Sequence, residues 1–269
     1  MKRISSRQNP LVSTFRAVAR GEREGLFLDG PHLVAEALAS HLPVTHALIT
    51  PEGLEREDLR ALVERLDRQG ADVVSATTAV MAAVSSVRSS SALVALAKRR
   101  ETSPDEVFGD GRHVPLVLIA CDVQDPGNVG AIVRVAEAAG ATGVVLAGES
   151  ANPFGPKALR GSMGSALRVP VVASGSAEAV SAARSHGCQI LAAVPRGGQS
   201  MFDVDLMSPA AILVGGEGSG LGSALTSLAD RLFSIPMEPQ VESLNAAVAA
   251  ALVLYEARRQ RQHDRLSAR

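Results

Sequence analysis

From residue 115 onward the chain repeats one pattern: a run of four to six apolar residues, a turn rich in glycine, then a helix-forming stretch. Predicted strands fall at 116–120, 143–147, 169–173, 190–194 and 211–215, with a less uniformly apolar one, Arg-Leu-Phe-Ser-Ile, at 231–235. Helical patterns fall at 127–139, closed by Gly140, at 177–185, stopped by Gly187, and over 243–262. A strand that is apolar at every position has to be buried on both faces. Short buried strands alternating with helices therefore predict an α/β fold built on a parallel sheet covered on both sides.

The first hundred residues predict a smaller α/β unit. Strands are expected at 26–28, 44–50, 72–75 and 92–97, with helices from 33 to 38 and from 58 to 69. Asp29 or Gly30 can cap the first of these helices, with Pro31 at its first position. Residues 99–113 (RRETSPDEVFGDGRH) are charged, contain Pro and Gly, and have no apolar period. The domain boundary is placed there, giving residues 1–105 with a short linker and a second domain over 106–269.

Composition narrows the class of protein. With 269 residues and 46% hydrophobic content the chain can bury a substantial core. It has no run of about 18 apolar residues and no basic-then-apolar leader with a cleavage site, so neither a membrane span nor a secretory signal is expected. The two cysteines, Cys121 and Cys188, have neither zinc spacing nor a disulfide framework, which suits the reducing cytoplasm. The six histidines form no ligand cluster, so no metal is expected. A net charge of −1 does not announce a polyanionic partner, but its distribution is uneven. Lys2, Arg3, Arg7, Arg16 and Arg20 have no acid among them. Only three of the 27 basic residues are lysine, and arginine suits bidentate phosphate contacts. Solvated chain ends account for the same charges without any ligand.

Three segments combine unusual residues with the carboxyl ends of predicted strands, where open α/β sheets place ligands. The first runs Asp122-Val-Gln-Asp125-Pro126-Gly127-Asn128-Val-Gly130 and continues to Arg134. Asn128 stands at a helix start that favours anions, and Arg134 sits in an otherwise apolar helix, so it must be paired or face a ligand. The second, Gly215-Gly216-Glu217-Gly218-Ser-Gly220, has the backbone freedom to clasp a ligand, or to be simply a flexible turn. It is neither a P-loop nor a dinucleotide fingerprint, and Glu217 would repel a bare phosphate. In the third, Ile235-Pro-Met237 precedes Ser243-Leu244-Asn245, whose polar members read as helix caps.

Taken together the three segments resemble the SpoU (TrmH) family of RNA ribose 2′-O-methyltransferases, within the SPOUT superfamily, in order and spacing over about residues 115–260. The N-terminal part, residues 1–105, also looks like that family's substrate-binding domain, which is similar in fold to a class of ribosomal RNA-binding proteins; the segments that carry this are Ser6-Arg7-Gln-Asn9-Pro10 and Leu26-Phe-Leu-Asp29-Gly30-Pro31-His32-Leu-Val-Ala-Glu36-Ala-Leu38. The Pro-Gln-Gly-like turn usual before that domain's last strand is replaced by Arg-Ser-Ser-Ser at 88–91.

The resemblance implies a catalytic domain tied in a C-terminal trefoil knot, a homodimer formed through it, and S-adenosylmethionine bound in the knotted loops. Carried across, the cofactor contacts fall on Gly215, Gly216, Ile235, Met237, Leu244, Asn245 and Val194. Catalysis falls on Arg134, Asn128, Glu217, Ser243 and Asn245, and RNA contacts on Arg7, Asn9 and Arg134. It implies an RNA substrate, ribosomal rather than transfer RNA, because Gly161-Ser-Met-Gly-Ser165 and Arg168-Val-Pro170 look like the ribosomal branch. Two other classes compete: an RNA-binding protein without activity, which the intact polar set opposes, and a nucleotide-dependent oxidoreductase, which the missing fingerprint opposes.

Overall fold

In the computed structural model, residues 1–85, 91–216 and 220–267 are described, with side chains as far as residue 262. Contacts within the chain divide it into two units. One holds Met1–Glu101 together with Phe154–Arg168, and the other holds Thr102–Pro153 and Val169–Arg269.

The first unit runs β1 (Lys2–Ile4), α1 (Pro10–Ala19), β2 (Leu26–Asp29), α2 (Pro31–Ala39), β3 (Val44–Ile49), α3 (Pro51–Glu55), α4 (Glu57–Arg68), β4 (Asp72–Ala76), α5 (Thr78–Val84) and β5 (Leu93–Ala97). Its sheet has the order β1-β4-β3-β5-β2, parallel from β1 to β3 and antiparallel at β5. Val12, Phe15 and Val18, one face of α1, join Val80, Met81 and Val84 of α5 over Phe27, Leu48, Val74 and Leu96. Phe15 meets Phe27 edge to face at 6.3 Å. The α1, α3 and α5 helices and β1 go beyond the expected elements; each is short, ten residues or fewer, and tertiary packing rather than a sequence period shows which face is buried.

Gly30, with φ 110°, is the residue at the start of α2, and Asp29 turns inward instead. Its side chain is 1% exposed; it accepts hydrogen bonds from Ser91 Oγ (2.9 Å) and Ser85 Oγ (3.3 Å) and faces Arg160 at 3.6 Å. A buried carboxylate requires such partners. Arg160 belongs to the segment Phe154–Arg168, where Arg168 pairs with Glu36 and the Met163 carbonyl meets His32 Nε2 at 3.2 Å. The remaining residues of the 88–91 stretch lie outside the described residues.

Residues 99–113, which enter the second unit at Thr102, are not all linker. Pro104–Phe108 form a 3-10 helix with a capping box between Ser103 and Glu106, and Val107 and Phe108 are buried in the core. Two apolar residues in a charged stretch carry no period, which is why the sequence pattern misses them. Beyond it come β6 (Leu116–Cys121), α6 (Pro126–Ala139), β7 (Gly143–Ala147), α7 (Pro156–Ser162, in the first unit), β8 (Val171–Ser174), α8 (Ser176–Ser185), β9 (Gln189–Ala193), β10 (Gln199–Ser200), β11 (Ala210–Gly215), α9 (Ser223–Thr226), β12 (Arg231–Ser234) and α10 (Ala246–Ser267).

The sheet is parallel throughout, in the order β10-β12-β9-β11-β6-β7-β8. Val117, Ile119 and Cys121 face α8 through Ala179, Val180 and Ala183. The alternate residues Leu116, Leu118 and Ala120 are equally buried, and α6 packs along α10. Near its far end α10 is fastened by Arg261. Its guanidinium donates to the carbonyls of Leu206 and Val114 (both 2.7 Å) and of Pro115 and Ser208 (both 3.0 Å).

Candidate active site

Every strand of the second sheet points the same way, so all the loops that follow strands gather at one edge. At that edge a cleft of about 340 Å³ opens over the ends of β9, β11 and β12. Its walls come from the chain after β9 (Val194, Pro195), from Gly215, Gly216 and Gly220 after β11, from Ile235 and Met237 after β12, and from 243–246 leading into α10.

At Gly215 and Gly216 nothing larger fits, while Gly220 holds φ +60° in open space. A Cβ on Gly216 would overlap the carbonyl of Asp122, and one on Gly215 would overlap the backbone of Gly220. Gly216 N donates to the Cys121 carbonyl at 2.7 Å, and Gly216 forms an antiparallel bridge with Gly220. The Cys121 thiol is buried, and burial pushes its pKa up to about 12, so it offers no thiolate nucleophile.

Asp125 caps α6, its carboxylate accepting from Asn128 N at 3.0 Å. The α10 helix begins at Ala246 rather than at residue 243. Asn245 is its cap, the carboxamide oxygen accepting from Ala247 N (2.9 Å) and Val248 N (3.3 Å). Ser243 therefore lies in the cleft wall and not at a helix cap. The other end of the Asn245 carboxamide donates to Asn128 Oδ1 at 3.2 Å. One side chain thus ties the first polar segment to the third across 117 residues of sequence.

All seven residues expected to hold the cofactor, Val194, Gly215, Gly216, Ile235, Met237, Leu244 and Asn245, line this cleft. Of the expected catalytic set, Ser243 and Asn245 line it and Asn128 is bonded to it, while Glu217 lies outside the described residues. Arg134 does not line the cleft of its own chain; it is exposed on α6 and pairs with no described residue. Arg7 and Asn9, in the first unit, have local partners: Arg7 Nε donates to the Ala79 carbonyl (3.2 Å) and Asn9 Oδ1 caps α1 through Leu11 N (2.9 Å). The cleft also uses Ala193, Val214, Leu221 and Ala249. The first two could be read as strand ends; Ala249 could not, since only the packing of α10 brings it there. Among the described residues no group of His, Cys, Asp and Glu could hold a metal, and no helix is long and apolar enough to cross a membrane.

A glycine-walled cleft at the carboxyl edge of a parallel sheet, with a carboxamide pair at its mouth, defines an α/β protein that binds a nucleotide-sized ligand. Residues 115–255 match the SpoU rRNA Methylase family. Over 264 residues the chain is 34% identical to an uncharacterised tRNA/rRNA methyltransferase of Synechocystis, covering 96% of this chain and 93% of that protein. It is 30% identical to the 23S rRNA (guanosine(2553)-2′-O)-methyltransferase RlmP of Bacillus subtilis, covering 96% of this chain and all of the other. The crystal structure of an AdoMet-bound rRNA methyltransferase from Sinorhizobium meliloti matches with a TM-score of 0.85 and 27% identity, over 96% of this chain and 98% of that one. The chain belongs to the SpoU family. It is an RNA methyltransferase that uses S-adenosylmethionine.

Proposed function

We propose that this enzyme methylates a ribose 2′-hydroxyl of ribosomal RNA, acting in the cytoplasm as a homodimer whose cofactor cleft is tied into a trefoil knot. The observation that carries the reading is the convergence of all seven expected cofactor residues on one cleft, in a chain matched end to end by a ribosomal RNA 2′-O-methyltransferase.

When bound, S-adenosylmethionine supplies an electrophilic methyl group. The 340 Å³ cleft and the glycines that admit no Cβ fit it, with Gly215, Gly216, Ile235, Met237, Leu244, Asn245 and Val194 as its holders. A ribose hydroxyl is a weak nucleophile that has to shed its proton as it attacks. Arg134 orients the RNA phosphate and stabilises the developing alkoxide, and Asn128, Glu217, Ser243 and Asn245 complete the polar set by hydrogen bonding. A guanidinium with a pKa above about 12 is not the base, so the proton passes to phosphate or water.

Two features support the dimer. Val248, Leu252 and Tyr255, spaced i, i+4 and i+7 on α10, are 47, 40 and 50% exposed, an apolar stripe with no cover in the single chain. Arg134, exposed on α6 and not lining its own chain's cleft, is available to a second copy's. The knot is supported by β12 lying between β9 and β10 while α10 returns to α6. The first unit, with Arg7, Asn9 and the basic N-terminal stretch, contributes RNA contacts.

The test is transfer of labelled methyl from S-adenosylmethionine to separated ribosomal and transfer RNA from a strain lacking the gene, followed by nucleoside analysis. A labelled 2′-O-methylnucleoside in ribosomal RNA, abolished by Arg134→Ala while cofactor affinity stays within about twofold, is the expected result. Label confined to transfer RNA, or to a base, overturns the reading.

A further inference from the structure

A second cavity, of about 560 Å³, opens on the same edge of the second sheet, over the ends of β7 and β8. Only β6 separates β7 from β11, and by strand spacing the cavity's centre is roughly 17 Å from the centre of the cofactor cleft. Leu146, Ala173 and Pro153 give it apolar surface, and Glu149 is the one ionised side chain among its lining residues. Ser150 and Ser174 also line it, but their hydroxyls are spent on local partners. Ser150 Oγ donates to the carbonyls of Ala147 (2.8 Å) and Ala120 (3.1 Å), and Ser174 Oγ donates to the Gly175 carbonyl. The Glu149 carboxylate is exposed and pairs with no described residue.

The loop that carries Glu149 is built rather than slack. Asp122, at the end of β6, holds φ +56°, a left-handed conformation that a non-glycine residue adopts only at a cost. In that conformation its Oδ1 accepts from Glu149 N at 2.8 Å, while its own carbonyl abuts Gly216 of the cofactor loop. Val123 N donates to Ser150 Oγ at 3.0 Å, and Ala151 N donates to the Val123 carbonyl at 2.9 Å. The chain between β6 and the first polar segment is thereby bolted to the loop 148–151.

A carboxylate carried on a fixed backbone beside an RNA path repels phosphate, so its favourable contacts are with donors on bases. Guanine alone presents two adjacent donors, N1–H and the N2 amino group, which match the two oxygens of a carboxylate. Resting on the RNA-methylating reading above, we infer that this cavity is a nucleobase subsite that takes a guanine within two nucleotides of the methylated ribose, with Glu149 reading its edge. Asp122 is the positioning residue that holds Glu149 in place.

The experiment uses the full-length enzyme and a synthetic RNA fragment containing the mapped methylation site, with each guanine within two positions replaced in turn by inosine, which lacks the N2 amino group. The wild-type enzyme should lose about tenfold in kcat/KM at one inosine position. Glu149→Ala should lose a similar factor through KM, keep its affinity for S-adenosylmethionine, and be indifferent to inosine at that position. Asp122→Ala should behave like Glu149→Ala, and Asp122→Asn, which tolerates the same φ and keeps the acceptor, should restore the wild-type pattern. If Asp122→Ala does not fold, Glu149→Ala alone decides. Independent, multiplying losses at every position, an unchanged KM in Glu149→Ala, or a target with no guanine in that window overturns the inference. A wild-type enzyme that methylates no RNA sinks the underlying reading instead, and is seen before any substitution is made.

Discussion

Asn245 does two separable things, and replacing it in two ways tells them apart. Its carboxamide oxygen caps α10 through Ala247 N and Val248 N, and its amide nitrogen bonds Asn128 at the mouth of the cleft. Losing a cap of this kind costs about 1 kcal/mol, and losing an exposed side-chain hydrogen bond about 0.5–1 kcal/mol more. Asn245→Ala should therefore lower stability by about 1.5–2 kcal/mol, or roughly 3–8 °C in the melting point of a unit of this size. Asn245→Ser keeps an oxygen for the cap but cannot reach Asn128. It should recover about half of that stability while remaining deficient at the site. Scanning calorimetry measures the first quantity and titration with S-adenosylmethionine the second. Both variants should bind the cofactor more weakly than the wild type. If Ser is as unstable as Ala, the cap is not what Asn245 supplies. If both bind with an unchanged dissociation constant, the placement of Asn245 in the cofactor wall is wrong.

Gly216→Ala forces a Cβ into the Asp122 carbonyl, and backbone on both sides must give way; a loss of about 1–3 kcal/mol in urea denaturation and of measurable cofactor binding is expected. Leu252→Glu places a charge in the exposed stripe of α10, and analytical ultracentrifugation should show monomers where the wild type sediments as a dimer. A mixture of inactive Leu252→Glu and Arg134→Ala chains should also fail to regain methyl transfer. Glu256 is held below the usual carboxylate range, chiefly by hydrogen bonds from Arg259, and Asp205 by one from Ser208 Oγ. Groups depressed in this way stabilise the fold fully above the unfolded carboxylate pKa, near 4, and lose that contribution as pH falls through their lower folded values. Between pH 7 and 5 the urea midpoint should then be insensitive to Glu256 and Asp205, with their contribution disappearing only at more acidic pH. In Glu256→Gln that acid-limb loss should be smaller than in the wild type.

The central strands of the second unit, β6, β7, β9 and β11, are legible because burial on both faces demands four or more apolar residues in a row. Helix ends were legible where one residue decides them, as at Gly140, whose φ of 82° closes α6. The 3-10 helix at Pro104–Phe108 was not, because two apolar residues make no period. The inward turn of Asp29 was not, because a residue beside a helix start reads as a cap until its buried partners are known. The site divides in the same way. The glycines after β11 and the polar residues after β12 announce themselves by chemistry and order, so their identities were determined by sequence alone. That Asn245 bonds Asn128, that Arg134 is not among the residues lining its own chain's cleft, and that Asp122 holds the backbone of Glu149 beside a second cavity are relations between residues far apart in the chain. Only the parallel sheet, which brings every loop after a strand to one edge, decides them.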